Sequence, residues 1–230
     1  MAAGYGSATA VKKVLLSWSS GKDSAWALHL LRQNPDIEVA ALLTTFNQSA
    51  DRVAMHAVRR ELTHAQAERT GLSLWAVDLP WPCSNAEYET RMRAACDRAI
   101  AEQFHAVAFG DLFLEDVRAY RVRQLAQTGL EPLFPVWSMP TAQLARDMVA
   151  QGVKAKLTCI DPSKLDRSFA GREYDAALLN ELPPGVDPCG ENGEFHTFVY
   201  ESPVFSSPIA VRMGEIVERD GFVFADVLAA

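Results

Sequence analysis

Cysteine is scarce and scattered. Cys83, Cys96, Cys159 and Cys189 are the only four in 230 residues. No two of them form a Cys-x-x-Cys unit, and the five histidines do not join them at metal-ligand spacing. A disulfide scaffold and a zinc ribbon are therefore disfavoured, and a reduced, cytoplasmic setting is expected. Long apolar runs are missing too, so no membrane span is expected. Met1 to Ala10 lacks a basic segment ahead of an apolar one and reads as a disordered lead rather than a signal peptide. Basic residues are the minority charge, 22 Lys and Arg against 29 Asp and Glu, for a formal net charge of −7. That balance disfavours an extended nucleic-acid surface, although it leaves room for a local basic groove. No internal repeat or low-complexity tract interrupts the chain. Hydrophobic residues, in contrast, make up 49%, enough for the core of one large domain or two small ones.

The most informative segment is Val-Leu-Leu-Ser-Trp-Ser-Ser-Gly-Lys-Asp-Ser, residues 14 to 24. Val14 to Leu16 reads as a buried strand. The chain then turns through Ser17 to Gly21 and enters a helix pattern at Ala25, Leu28, Leu30 and Leu31. Strand, small-residue turn and helix start together present backbone N–H groups to an anion. Gly21 can take positive φ and allows close approach to a phosphate. Ser19, Ser20 and Ser24 add hydroxyls, and Lys22 adds a point charge. A Walker A loop is excluded, because the positions it reserves for Gly and for Ser or Thr hold Leu16 and Asp23.

Further along, apolar runs alternate with helix patterns. Strands are expected at Ile37 to Phe46, Leu72 to Leu79, Ala106 to Phe109 and Leu130 to Val136, the last interrupted by prolines. Helices are expected over Val53 to Thr70, Ala86 to Gln103 and Glu115 to Thr128. This rhythm predicts an α/β fold with a doubly wound parallel sheet and helices on both faces. Ligands of such sheets sit at the carboxyl ends of the strands. Ser17 to Ser24, the strand end at Thr44 and Thr45, and Gly110-Asp111 would share that edge. After about residue 135 the pattern changes to a helix at Thr141 to Gln151, a strand at Val153 to Ile160 and a loop-rich stretch. A strand-rich end with a hairpin turn at Arg219-Asp220-Gly221 closes the chain. Residues 1–135 are thus expected to form the α/β domain that carries the anion-binding loop, and residues 136–230 a smaller α+β domain.

Ser-Ser-Gly-Lys-Asp-Ser resembles the PP-loop of ATP pyrophosphatases, which cleave ATP between the α and β phosphates. Gly-Val-Asp-Pro-Cys-Gly-Glu-Asn-Gly-Glu-Phe-His-Thr-Phe-Val, residues 185 to 199, looks like a second-domain segment of the diphthine–ammonia ligase family. Met55-His56, Arg121-Val122 and Pro132-Leu133 to Trp137 match further family pieces in order. The resemblance covers roughly Val14 to Ile209. It implies a Rossmann-like PP-loop domain that binds ATP and Mg2+. It also implies an enzyme that adenylates a carboxylate and transfers it to ammonia, releasing AMP and pyrophosphate. The family's acceptor is diphthine on elongation factor 2; an Ala- and Arg-rich composition points to a bacterial source and hence to another carboxylate. Ser20 stands where the common loop has Gly, Asn192 where the family has Gly, and His196 where it has an acidic residue. A tRNA-thiolating PP-loop enzyme and a non-catalytic adenine-nucleotide-binding protein are the competing readings.

Each candidate residue also has a plainer reading. Asp23 reads as a magnesium ligand or as a carboxylate favoured at a helix N-terminus. Asp111 reads as a ligand-facing carboxylate or an N-cap. Met55 reads as core packing or an adenine contact, and His56 rests on the resemblance alone. Glu191 and Glu194, framed by Gly190 and Gly193, read as a solvated turn or as a pair that holds and deprotonates ammonium. Arg121 and Arg118 read as acceptor or phosphate contacts or as surface charges, and Cys189 as a nucleophile or as a small buried apolar residue. The reaction requires both ends of the site to meet, within one chain or across a homodimer.

Overall fold

The computed structural model of the protein describes residues 11–230, and the expectation for Met1 to Ala10 falls outside them. Strand β1 (Lys12–Ser17) lies at the centre of the first sheet. β2 (Ile37–Asn47) and β5 (Ala106–Ala108) pair with it in parallel on either side. β4 (Ser73–Leu79) extends the sheet beyond β2, and β6 (Glu131–Leu133) extends it beyond β5, both in parallel. The resulting order, β4-β2-β1-β5-β6, reverses direction between β1 and β5, and a ligand crevice opens at that reversal in a doubly wound sheet. Side chains of β1 alternate between faces as the strand period requires: Val14 and Leu16 enter one core, Leu15 the other.

Helices occupy both faces. α1 (Lys22–Arg32) buries Ala25, Leu28 and Leu31 on the side of Val14 and Leu16. α2 (Arg60–Thr70) ends at Gly71, whose φ of 71° makes the expected left-handed cap. On the other face, α3 (Asn85–Ala101) contributes Ala95, Cys96 and Ala99, and α4 (Glu115–Leu125) contributes Leu125. A reciprocal capping box between Ser84 and Glu87 starts α3.

One expected helix is shorter than its pattern. Within Val53 to Thr70 the helix begins only at Arg60, because Met55 and Ala57 take positive φ and turn the chain back. Ahead of them, β3 (Arg52–Val53) pairs antiparallel with Phe46 and Asn47 of β2.

The second sheet is antiparallel, in the order β8 (Phe195–Glu201), β7 (Lys154–Ile160), β10 (Phe222–Ala229), β9 (Val211–Arg219). The β9–β10 hairpin turns at Asp220 and Gly221, both at positive φ, where the sequence places it. α5 (Thr141–Ala150) and the short α6 (Ala176–Glu181) flank this sheet. The two sheets share a core: Trp18, Ala25 and Leu28 belong to the same buried cluster as Leu144, Leu157 and Phe195.

Candidate functional site

The turn after β1 leaves several loop amides without protein partners. Gly21 caps α1 but supplies no side-chain bond to it. Among the described residues, the N–H groups of Ser19, Ser20 and Ser24 have no protein acceptor, the arrangement that suits an anion. Gly21 itself departs from the expected positive φ; its φ is −90°. Its lack of a side chain matters for space, since a Cβ there would lie 2.8 Å from the His56 ring and 3.3 Å from the Thr197 carbonyl. Ser20 takes the positive φ instead, at 71°. It is held there by Thr63, whose hydroxyl is 3.1 Å from Ser20 Oγ, and by Val199 N–H and Gln66 Nε2, which both donate to its carbonyl at 3.0 Å. Gly110 closes the other side of the crevice. A Cβ on it would meet the Asp23 carbonyl carbon at 3.0 Å.

A cavity of about 340 Å³ opens at this point. Ser17, Ser19, Lys22, Asp23, Ser24, Met55, His56, Gly110, Asp111, Arg121, Gly190 and Glu191 all line it. Six predicted residues do not, one of them Gly21, which packs against the His56 ring and the Thr197 carbonyl. Thr44 is buried and its hydroxyl donates to the Trp18 carbonyl at 2.7 Å, so the neighbouring Thr45 takes its place on the wall. Ser20 is buried behind the loop. Glu194 is buried as well, its Oε1 accepting from Asp187 N–H at 3.0 Å and from Asn192 at 3.2 Å, so it braces the segment that carries Glu191. Gly193, at φ 80°, shapes the same turn away from the wall. Arg118 stays outside too, its guanidinium 4.8 Å from the Trp137 ring.

The charges in the cavity are tightly coupled. Lys22 is 2% exposed. Its ammonium donates to Asp23 Oδ2 at 2.8 Å and to the carbonyl of Cys189, which ties the first loop to the second-half segment. Burial works against its charge, but the neighbouring Asp23, Cys189 and Glu191 hold its pKa above the ordinary lysine value. Burial pushes the Asp23 carboxyl up, against the pull of Lys22. Glu191 accepts from Leu112 N–H at 2.8 Å. Burial, reinforced by Asp23 and Asp111, raises its carboxyl to about 7. Asp111, raised by burial, faces Arg121 at 3.5 Å. His56 and His196 lie ring to ring with centroids 4.6 Å apart. Burial drives His56 down to about 4 and His196 well below its ordinary value, so both are neutral at physiological pH. Cys189 lines the wall with its thiol pushed up by burial to about 12, so it is no thiolate nucleophile at neutral pH.

Several contributors carry no local sequence signal. Tyr88, Met92 and Phe109 join the cavity wall from α3 and the end of β5. Thr197 accepts from Lys22 N–H at 3.1 Å, which seats β8 directly behind the loop. Gln66, fully buried on α2, accepts from Trp18 Nε1 at 2.9 Å and donates to the carbonyls of Ser20 and Val199. A polar residue on the apolar face of a helix was the one hint for Gln66. Thr197 had none, because its partner is 175 positions away.

Two family models match the chain. The diphthamide synthase N-terminal domain covers residues 12–131 and the diphthamide synthase C-terminal domain covers residues 140–226. The chain is 30% identical over 132 residues to a protein of Rattus norvegicus named diphthine--ammonia ligase, covering 55% of this chain and 49% of that one. Proteins of the same name from Mus musculus and Danio rerio are each 32% identical, over 133 and 137 residues, covering 49% and 53% of their lengths. The chain therefore spans about half the length of these curated relatives. Both models fall on the halves that wall the cavity, and the chain belongs to the diphthamide synthase family.

Proposed function

We propose that the cavity binds ATP and a carboxylate acceptor, and that the protein is an ATP-dependent ligase that converts the carboxylate to an amide with ammonia. The observation that carries this reading is the meeting of the loop Ser17 to Ser24 with the segment Cys189 to Thr197 in one cavity. In this reading residues up to 135 hold the nucleotide and residues from 136 carry the acceptor side. A single chain supplies both walls. The family's curated members are named for diphthine, so that residue or another carboxylate is the acceptor to test. Among the described residues no helix is long and apolar enough to cross a membrane, and all four cysteines are free, which fits the proposed cytoplasmic setting.

The chemistry follows from the groups on the walls. The acceptor carboxylate attacks the α-phosphorus, the bond to the bridging oxygen breaks, and pyrophosphate leaves with its charge facing the loop amides and α1. Lys22 adds the cation at that end. Asp23 Oδ1 is buried with no hydrogen-bond partner among the described residues, an orphaned oxygen that fits a magnesium ligand. Magnesium takes one or two carboxylates plus phosphate oxygens, and would supply charge neutralisation there. Glu191 is the general base. Its carboxyl, at about 7, takes a proton from ammonium to give the ammonia that attacks the acyl-adenylate and displaces AMP.

Nucleotide analysis tests this directly. With ammonia and an accepted carboxylate, the products are AMP and pyrophosphate. ADP as the main product would place the attack at the γ-phosphate and replace the ligase reading with a kinase-like one.

A further inference from the structure

A second cavity, about 330 Å³ in volume, lies between α3 and α4. It is not an isolated dent. Met92 lines both cavities, with Tyr88 on the first side and Glu89, Arg93 and Cys96 on the second. On a helix, residues 88 and 92 form one stripe and 89, 93 and 96 the adjacent one, so the cavities open side by side along α3. α4 and the turn after it repeat the division: Arg121 faces the first cavity, and Tyr120, Arg123, Gln124 and, past the helix end, Gln127 face the second. Met92 is an unbranched thioether that changes rotamer at little cost, and it is the partition.

The polar lining is one-sided. Arg93 and Arg123 have neither a hydrogen bond nor an ion pair among the described residues, and Glu89 is the only carboxylate on the wall. Tyr120 accepts from Gln124 at 2.8 Å, which leaves its O–H available to donate. Two unpaired guanidiniums and a phenol donor suit a carboxylate or a phosphate group.

We propose that this second cavity is the far end of the acceptor site, and that Arg93 and Arg123 bind an anionic group carried by the acceptor beyond its reacting carboxylate. The proposal rests on the ligase reading above for the identity of the reacting end. Its geometry sets the length of the acceptor. The acceptor has to reach past the Met92 side chain that both cavities share, so its two anionic ends are separated by a chain of several atoms. Monocarboxylates fill the first cavity alone.

Calorimetric titration of three probes tests the idea: butyrate with one anionic end, adipate with two carboxylates, and 4-phosphonobutyrate with a carboxylate and a phosphonate. The protein is titrated in the presence of a non-hydrolysable ATP analogue. The two-ended probes should bind at least tenfold more tightly than butyrate. Whichever of adipate and 4-phosphonobutyrate binds more tightly identifies the distal group. Arg93→Ala with Arg123→Ala should erase that preference and leave butyrate and nucleotide binding unchanged. Met92→Trp, which fills the partition, should weaken the two-ended probes more than it weakens butyrate. Equal affinity for all three probes, or a preference that survives the double substitution, overturns the proposal. Production of AMP is a separate readout: a dianion preference without AMP would sink the ligase reading and keep the subsite, and AMP formation without a dianion preference would do the reverse.

Discussion

Truncating Lys22 removes the partner of Asp23 Oδ2, whose Oδ1 already has none among the described residues, and frees the Cys189 carbonyl. Removing one member of a buried ion pair costs about 3 kcal/mol or somewhat more. Lys22→Ala should therefore lower the urea midpoint as well as abolish ATP turnover, whereas Asp23→Asn should lose turnover with a smaller stability change. Wild-type turnover in either variant would remove the loop from the chemistry. Ser20 yields a finer test. Its positive φ costs about 1 kcal/mol in a residue with a Cβ, and its bond to Thr63 returns a similar amount. Ser20→Gly should then be nearly neutral, while Ser20→Ala keeps the strained φ and loses the bond. A difference of about 1 kcal/mol between the two variants in chemical denaturation is expected, and no difference would mean that the φ carries no strain. At Glu191 the sign runs through pH. Its folded pKa, about 7, lies above the ordinary glutamate value of 4.5, so the folded state binds the proton more tightly and loses stability as pH rises from about 4.5 through 7. Amide formation should rise over that upper limb as the carboxylate forms. Glu191→Gln should flatten both profiles; an unchanged activity limb would assign the base elsewhere.

At the scale of elements, legibility followed the range of the interactions. β1, β2, β4 and β5 were legible because their apolar runs report burial directly, and Gly71 marked the end of α2 because a left-handed cap is a local requirement. The start of α2 was not legible. The side-chain pattern over Val53 to Thr70 is compatible with a helix, but β2 runs past the end of β1 and offers an edge that Arg52 and Val53 fill. Thr44 and Thr45 were separated only by strand alternation, whose phase depends on which neighbour packs on each face. Glu194 matched the expected segment and yet points inward, because Asp187 and Asn192 claim it. The seam between the two sheets was equally hidden. Asp226, at a register break in β10, pairs with Arg52 at 2.7 Å and with Arg59 at 2.7 Å. Burial opposes its charge, but the two guanidiniums lower its carboxyl to about 2. That depressed pKa stabilises the fold above about 3.8, and the contribution is lost as pH falls through about 2. Partial exposure screens it to about 1 kcal/mol. Asp226→Asn should thus be less stable than wild type at neutral pH by that amount and equal to it below pH 2. A gap that persists in strong acid would assign the effect to packing rather than charge.

Across the whole molecule, the site exists only where the two halves join. The loop after β1 takes its shape from β8: Thr197 accepts from Lys22 N–H, Val199 N–H donates to the Ser20 carbonyl, and Gln66 spans Ser20 and Val199. α1 is sandwiched in the same way, with Ala25, Trp26 and Leu28 sharing a buried cluster with Leu157, Phe195 and Val199. A chain ending at residue 135 would expose that face of α1. Fully burying one Leu-sized side chain contributes about 1.5–3 kcal/mol, and small domains are only about 5–15 kcal/mol stable, so several such losses exceed what the first sheet can hold alone. The prediction is that residues 1–135 expressed alone keep helical far-ultraviolet circular dichroism but lose near-ultraviolet signal and do not bind ATP. In the full chain, Trp18 and Trp26 fluorescence and far-ultraviolet circular dichroism should then report a single coincident urea transition. Two separated transitions, or an isolated first half that is well packed and binds ATP, would show that the halves fold independently and that the loop is preformed without β8. The coincident outcome would instead tie nucleotide binding to the docking of the segment that carries Glu191, so that the ATP end of the cavity is assembled only when the acceptor end is in place.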